Sequence, residues 1–186
     1  MKRLPLLLAL AVAAVTLAAC GANTPKTVTQ GESEAIYVTL GPMQYQVQVS
    51  RQLNQYEVGD RALLAGVAEA EKTLGTDDIW FGVWVRIFNG TDADHPAADQ
   101  FKIVDTKGAE YEPVTVSEDN AFAYQPTTVR ANDDYPQPGS AGAESPTTGA
   151  LLLFKLPRQA LDFRPLELEF SNSQIPGATS TVRLDV

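Results

Sequence analysis

The chain is patterned as short runs of alternating apolar and polar residues, separated by clusters of glycine, proline and small polar residues. In residues 44–50 the alternation is strict. Tyr45, Val47 and Val49 fall on one face and glutamines on the other, as in a half-buried strand. Residues 79–89 form the strongest such run: Phe81, Val83, Val85 and Ile87 make a face with no polar member, the predicted core side. Trp80, Gly82, Trp84, Arg86 and Phe88 make the opposite face. Residues 101–105 predict another strand, Lys107-Gly108 a turn, and 111–116 the strand that pairs with it. Residues 149–157 read as a strand stopped by Pro157. In 166–170, Leu166, Leu168 and Phe170 point inward between Glu167 and Glu169, and 179–186 closes the chain with Val182, Leu184 and Val186 on one face.

Two segments break the strand pattern. Residues 60–74 are the helical candidate, with Asp60 as cap, Leu63, Leu64, Val67 and Leu74 at roughly helical spacing, and Gly75 as stop. Gly66 interrupts it, and the competing reading is an extended loop crossing between sheets. Residues 120–148 mix Pro126, Pro136, Pro138 and Pro146 with glycines and Asn132-Asp133-Asp134, too long a stretch for an ordinary connection. Such a segment is either functional or disordered, and Phe122, Tyr124 and Tyr135 mark where it packs down. About seven short strands with turn signals between them predict an all-β, two-sheet sandwich of immunoglobulin-like type.

The first twenty residues follow another logic. Lys2 and Arg3 precede an apolar stretch of about twelve residues, which is short for a membrane span and matches the core of a secretory signal. Leu17-Ala18-Ala19-Cys20 then resembles the lipobox of bacterial lipoproteins. That resemblance implies a diacylglycerol thioether on Cys20 and removal of the peptide ahead of it. Two acyl chains anchor stably where one is marginal, since each buried methylene contributes about 0.8 kcal/mol. The expected organisation is a signal peptide over 1–20 that includes the lipidated Cys20, a flexible polar tether over 21–34, and one domain over 35–186. The expected location is the extracytoplasmic side of the cell membrane, held by lipid.

Within the domain, the aromatic-rich strand ending in Asn89, the run Phe101-Lys102-Ile103-Val104-Asp105-Thr106-Lys107-Gly108 with Tyr111, and Gly149 with Leu151-Leu152-Leu153-Phe154, Pro157 and Leu166-Glu167-Leu168 form a recognisable series. Together they resemble an uncharacterised immunoglobulin-like domain family of exported bacterial lipoproteins, some of them actinobacterial. The resemblance spans roughly 44–186 and rests on packing and turn residues, so it implies a fold and carries no catalytic residues.

Charge narrows the partners. The formal net charge of −9 becomes −11 once Lys2 and Arg3 are removed. An acidic domain repels phosphate backbones, so the expectation is no nucleic acid partner. Cys20 is the only cysteine, so the mature domain has neither a disulfide nor a free thiol. His95 is the only histidine, and no Gly-x-Ser-x-Gly, Ser-x-x-Lys or His-Glu-x-x-His motif accompanies it. The expectation is a non-enzymatic module without cofactor. Asp92, Asp94, His95 and Asp99 are the candidate metal ligands, set against a plain solvated acidic turn. Trp80 and Trp84 share a strand face with Arg86, which is placed to stack on Trp84. With Tyr124 and Tyr135 they are the candidate contacts for an envelope protein or a glycan, unless another segment covers them. The alternative expectation is a small-ligand or metal-binding lipoprotein using the space beneath the 120–148 loop.

Overall fold

The computed structural model of the protein describes residues 27–185. The signal peptide, Cys20 and residues 21–26 of the expected tether lie outside the described residues.

Two five-stranded sheets pack face to face. The first has the order β1 (Gln30–Gly31), β12 (Thr179–Leu184), β11 (Leu166–Ser171), β6 (Gln100–Val104), β7 (Glu110–Tyr111). The second runs β10 (Ala150–Pro157), β4 (Asp78–Asn89), β3 (Met43–Leu53), β2 (Tyr37–Leu40), with β9 (Asp133–Tyr135) pairing β4 beyond the end of β10. A short ribbon joins β5 (His95–Pro96) to β8 (Thr128–Val129). The chain crosses between sheets as an immunoglobulin sandwich does. β3, β4 and β10 take the A, B and E places, and β6, β11 and β12 take C, F and G. β1 lies parallel beside β12, and the long segment between β7 and β10 stands where strand D would be.

The alternation of the sequence becomes the packing. Phe81, Val83, Val85 and Ile87 of β4 meet Leu166, Leu168 and Phe170 of β11 and Val182 and Leu184 of β12 in one core between the sheets. Each such side chain contributes about 1.5–3 kcal/mol on full burial. Rings run through this core from Tyr45 to Phe170, Phe101, Tyr124 and Tyr135, with centroids 4.9, 5.9, 4.9 and 5.4 Å apart in turn. The buried phenols are satisfied on one residue: the Ala98 N–H donates to the Tyr45 oxygen (2.9 Å) and the Tyr124 hydroxyl donates to the Ala98 carbonyl (2.8 Å). Burial pushes both hydroxyls above their ordinary pKa.

Three buried asparagines fasten the connections. The Nδ2 of Asn89 donates to the carbonyls of Ala93, Val129 and Arg130, that of Asn120 to Leu63 and Ala65, and that of Asn172 to Pro96 and Ala97. In each, Oδ1 accepts the N–H two residues on, from Thr91, Phe122 and Gln174.

Four expectations are corrected. A bulge in β3 shifts the register between Val47 and Val49, so Val47 pairs Val85 on the core side while Val49 pairs Trp84 on the outer side. Tyr45, Val47 and Val49 therefore do not share a face. Of residues 111–116 only Tyr111 pairs with β6, opposite Ile103. The chain then crosses to the β10 edge, where the Val114 N–H donates to the Leu153 carbonyl. Of the two readings of 60–74, helix or crossing loop, neither holds throughout: α1 (Val58–Leu63) is followed by irregular chain with a 3-10 turn at Glu69–Glu71. Asp60 lies inside α1 facing inward rather than capping it, Gly66 takes the left-handed backbone at φ 77° beyond its end, and the later leucines cover a sheet instead of lining a helix. Finally, residues 28–34 of the expected tether are part of the sandwich: Gln30 and Gly31 pair Thr181 and Val182, and the Glu34 carboxylate accepts from the Ser50 hydroxyl. The 120–148 segment is built on β8, β9 and α2 (Ala141–Glu144), with the Ser140 hydroxyl accepting the Ala143 N–H at its start.

Candidate contact surface

The outer face of the second sheet is covered over one half. Toward the end of β3, Leu53, Trp80, Trp84, Leu151 and Leu153 point away from the main core and form a second apolar layer. Leu63, Leu64, Val67 and Leu74 cover it from one side, and Val114, Val116 and Phe122 from the other. Trp80 and Trp84 are therefore buried, 2 % and 1 % accessible, covered by the 60–74 segment and by Phe122 of the long segment rather than exposed as contacts. Gly82 between them is part of the arrangement. A Cβ there would stand 2.8 Å from the Trp84 ring and 3.0 Å from Leu151, so its absence makes room for the indole.

The cation over Trp84 is Arg51, 5.2 Å from the ring centroid, and not Arg86. The β3 bulge brings Arg51 opposite Gly82, next to the indole, whereas Arg86 lies opposite Gln46 and pairs with Asp134 at 3.7 Å. Arg51 also grips Asp60, with Nη2 donating to Oδ1 (2.7 Å) and Nη1 to Oδ2 (3.2 Å), while the Asn54 N–H donates to Oδ2 (2.8 Å). The Arg51 hydrogen bonds hold this carboxyl below the usual carboxylate range; burial opposes them, and the Asn54 N–H adds to them.

This clamp fixes the turn that follows β3. The Asn54 Oδ1 accepts the Tyr56 N–H (3.0 Å) and the Asn54 carbonyl accepts the Glu57 N–H (3.0 Å). Tyr56 and Val58 project from it, 82 % and 74 % exposed. Behind the turn lies a groove of about 280 Å³ lined by Arg51, Asp60, Leu63, Trp84, Phe122 and Pro146, among others. Arg51, Tyr56 and Val58 belong to no motif of the sequence. The available signal was an apolar pair that continues no strand alternation, set between Asn54 and Asp60.

Tyr124 is buried in the main core, and Tyr135 is half-buried with its oxygen accepting the Gln125 N–H (2.9 Å), so neither stands free as a contact. Under the 120–148 segment a cleft of about 380 Å³ opens between Phe122, Thr127, Tyr135, Gln137 and Ser140, near the lower size of small-molecule sites. The acidic residues go separate ways. Asp92 accepts from the Asn132 amide (3.2 Å), Asp94 from the Ala131 N–H (3.0 Å), and Asp99 from the Ser173 N–H (2.8 Å) and hydroxyl. His95 is held in β5 opposite Val129. Strand pairing at His95–Pro96 spreads the four side chains, and among the described residues no three His, Asp or Glu gather as metal ligands. The candidate metal set of Asp92, Asp94, His95 and Asp99 is not assembled, and the four residues stand as separate members of a polar turn.

These features define an immunoglobulin-like β-sandwich domain with one reinforced outer face. No protein family matches the chain, and no curated protein is similar to it in sequence. Among solved structures it is similar to the yjhA protein of Bacillus subtilis, with a TM-score of 0.54 and 12 % identity over 83 % of this chain and 99 % of that one. It is also similar to ycdA of Bacillus subtilis, described as a candidate lipoprotein, with a TM-score of 0.50 and 12 % identity over 80 % of this chain. The chain spans only 38 % of the length of ycdA. An uncharacterized β-sandwich protein of Clostridium difficile aligns with a TM-score of 0.44 and 10 % identity over 83 % of this chain and 95 % of that one. At these identities the likeness is one of fold. Among the described residues no helix is long and apolar enough to cross a membrane.

Proposed function

We propose that the protein is a lipid-anchored, extracytoplasmic β-sandwich that binds or scaffolds another component of the cell envelope, by contact rather than by catalysis. The observation that carries this reading is the leader: Lys2 and Arg3, a short apolar core, and Leu17-Ala18-Ala19-Cys20. A lipid on Cys20 sets a compact acidic domain directly above the bilayer, where an envelope protein or glycan meets its surface. Replacing the thiol tests the anchor. Cys20→Ser is expected to abolish incorporation of labelled fatty acid and to move the protein into the soluble fraction. A Cys20→Ser chain that still carries lipid overturns the reading.

The cleft beneath the 120–148 segment favours a second reading, in which the domain takes up a small ligand there. Native mass spectrometry of residues 21–186, purified from the host, is expected under that reading to show extra mass that is lost on denaturation. A bare chain mass leaves the contact module as the function.

A further inference from the structure

The place where the chain joins the sandwich bears on the use of the Tyr56 turn. The Val28 carbonyl accepts the Thr39 N–H and the Thr29 carbonyl accepts the Thr181 N–H. This is the end of the sandwich where Ile175 packs on Gly41, between β2 and β3. β3 starts at that end with Met43 and finishes at Leu53, and eleven strand residues at about 3.3 Å each span roughly 35 Å. Tyr56 and Val58 therefore stand at the opposite end from the arriving chain. Only residues 21–27 separate Cys20 from Val28, and seven residues reach at most about 25 Å. If Cys20 carries lipid, as proposed above, the Gly41 and Ile175 end is held toward the bilayer and the Tyr56 turn faces outward.

Tyr56 and Val58 are also the most exposed large apolar side chains among the described residues. The turn bearing them is already ordered by Asn54, Asp60 and Arg51, so docking through it gives up little loop entropy. A fixed aromatic with an aliphatic neighbour is the composition of an anchor that fills a partner's pocket. We propose that the Tyr56–Val58 turn is the outward docking knob of this domain. The partner it fits is an envelope protein with a concave apolar pocket and a cationic surface around it, complementary to the net negative charge of the domain.

The lipid consumes the chain's only thiol, so an added cysteine gives a unique reporter. Gly59→Cys places one beside the turn, where a Cβ meets nothing within 4 Å, and Gln174→Cys places one at the other end. The full lipoprotein is compared in host cells and after purification into phosphatidylglycerol–phosphatidylethanolamine vesicles, by its rate of reaction with a membrane-impermeant maleimide. In cells the thiol at 59 is expected to react roughly tenfold more slowly than in vesicles, as for a site occupied about nine-tenths of the time. Replacing Tyr56 and Val58 by serine in the same chain is expected to restore the vesicle rate. Equal rates in cells and vesicles overturn the proposal, as does protection that survives the serine replacements. Slow reaction already in the vesicles overturns it too. Quenching of a probe at 59 by brominated lipid then identifies the bilayer as occupant, and dependence on protein density identifies a second copy. Failure of the anchor itself reads differently: the protein leaves the membrane fraction and a probe at 174 shows no lipid quenching.

Discussion

Replacing Asp60 with asparagine keeps the shape of the side chain and removes its charge. Asp60 is 9 % exposed, but the Arg51 side chain that grips it is 41 % exposed. Solvent therefore screens the ion pair, and its Coulomb part falls in the range of about 0.2–1 kcal/mol found for exposed pairs. The hydrogen bonds to the carboxylate weigh more, about 1.5 kcal/mol or above for a charged acceptor. Asparagine retains one acceptor, in weaker neutral form, for either the Asn54 N–H or the guanidinium. The expected loss near pH 7 is about 2 kcal/mol, or a melting temperature lower by about 4–8 °C for a domain of this size. The effect has a definite pH dependence. The folded pKa of Asp60 is lowered, so its contribution is complete above the unfolded value of about 3.9 and is lost as pH falls through the folded value. Urea unfolding followed by tryptophan fluorescence, at pH 7 and again at a pH below the folded value of Asp60, reads both. A gap between wild type and Asp60→Asn that closes in acid supports the argument. An equal gap at both pH values, or none at pH 7, refutes it.

Two further substitutions follow from packing. Gly82→Val exchanges a poor strand former for a good one, yet it is expected to destabilise by about 1–3 kcal/mol, because a Cβ at that position overlaps the Trp84 ring; a raised urea midpoint would show that the indole moves aside freely. Asn89→Ala leaves the carbonyls of Ala93, Val129 and Arg130 without their donor and is expected to cost about 2–3 kcal/mol. Amide exchange should quicken at Thr91, whose N–H loses the Asn89 oxygen, and unchanged exchange there would count against the clamp.

β11 and β12 were legible because the period of two is strict in them; β10 was legible as an apolar run stopped by Pro157, and the core side of β4 as its one face without a polar member. Three things were hidden. The β3 bulge adds one residue that no side-chain pattern announces, and it alone decides that Val49 faces outward and that Arg51 rather than Arg86 meets Trp84. The second apolar layer has no period of its own, because Leu63 at the end of α1 is joined by Leu64, Leu74, Val114 and Phe122 from irregular segments; spacing alone left a helix and a crossing loop as competing readings of 60–74. The polar composition of 28–34 reads as linker, and only its backbone bonds to Thr39 and Thr181 reveal that it belongs to the sheet. The contact residues were obscure for the same reason. Trp80 and Trp84 look like anchors by type, while the residues left exposed, Tyr56 and Val58, are fixed by a distant arginine.

The parallel stitch of β1 to β12 has a mechanical meaning. A pull on the chain ahead of residue 28 loads the backbone bonds of Val28 to Thr39 and of Thr29 to Thr181, and then the register pairs Gln30 with Thr181 and Gly31 with Val182, before it reaches the long ladders. If these part first, residues 28–34 release up to about 25 Å of slack while the ladders of β3 with β4 and of β4 with β10 stay closed. In that order of rupture the chain lengthens before the sandwich opens.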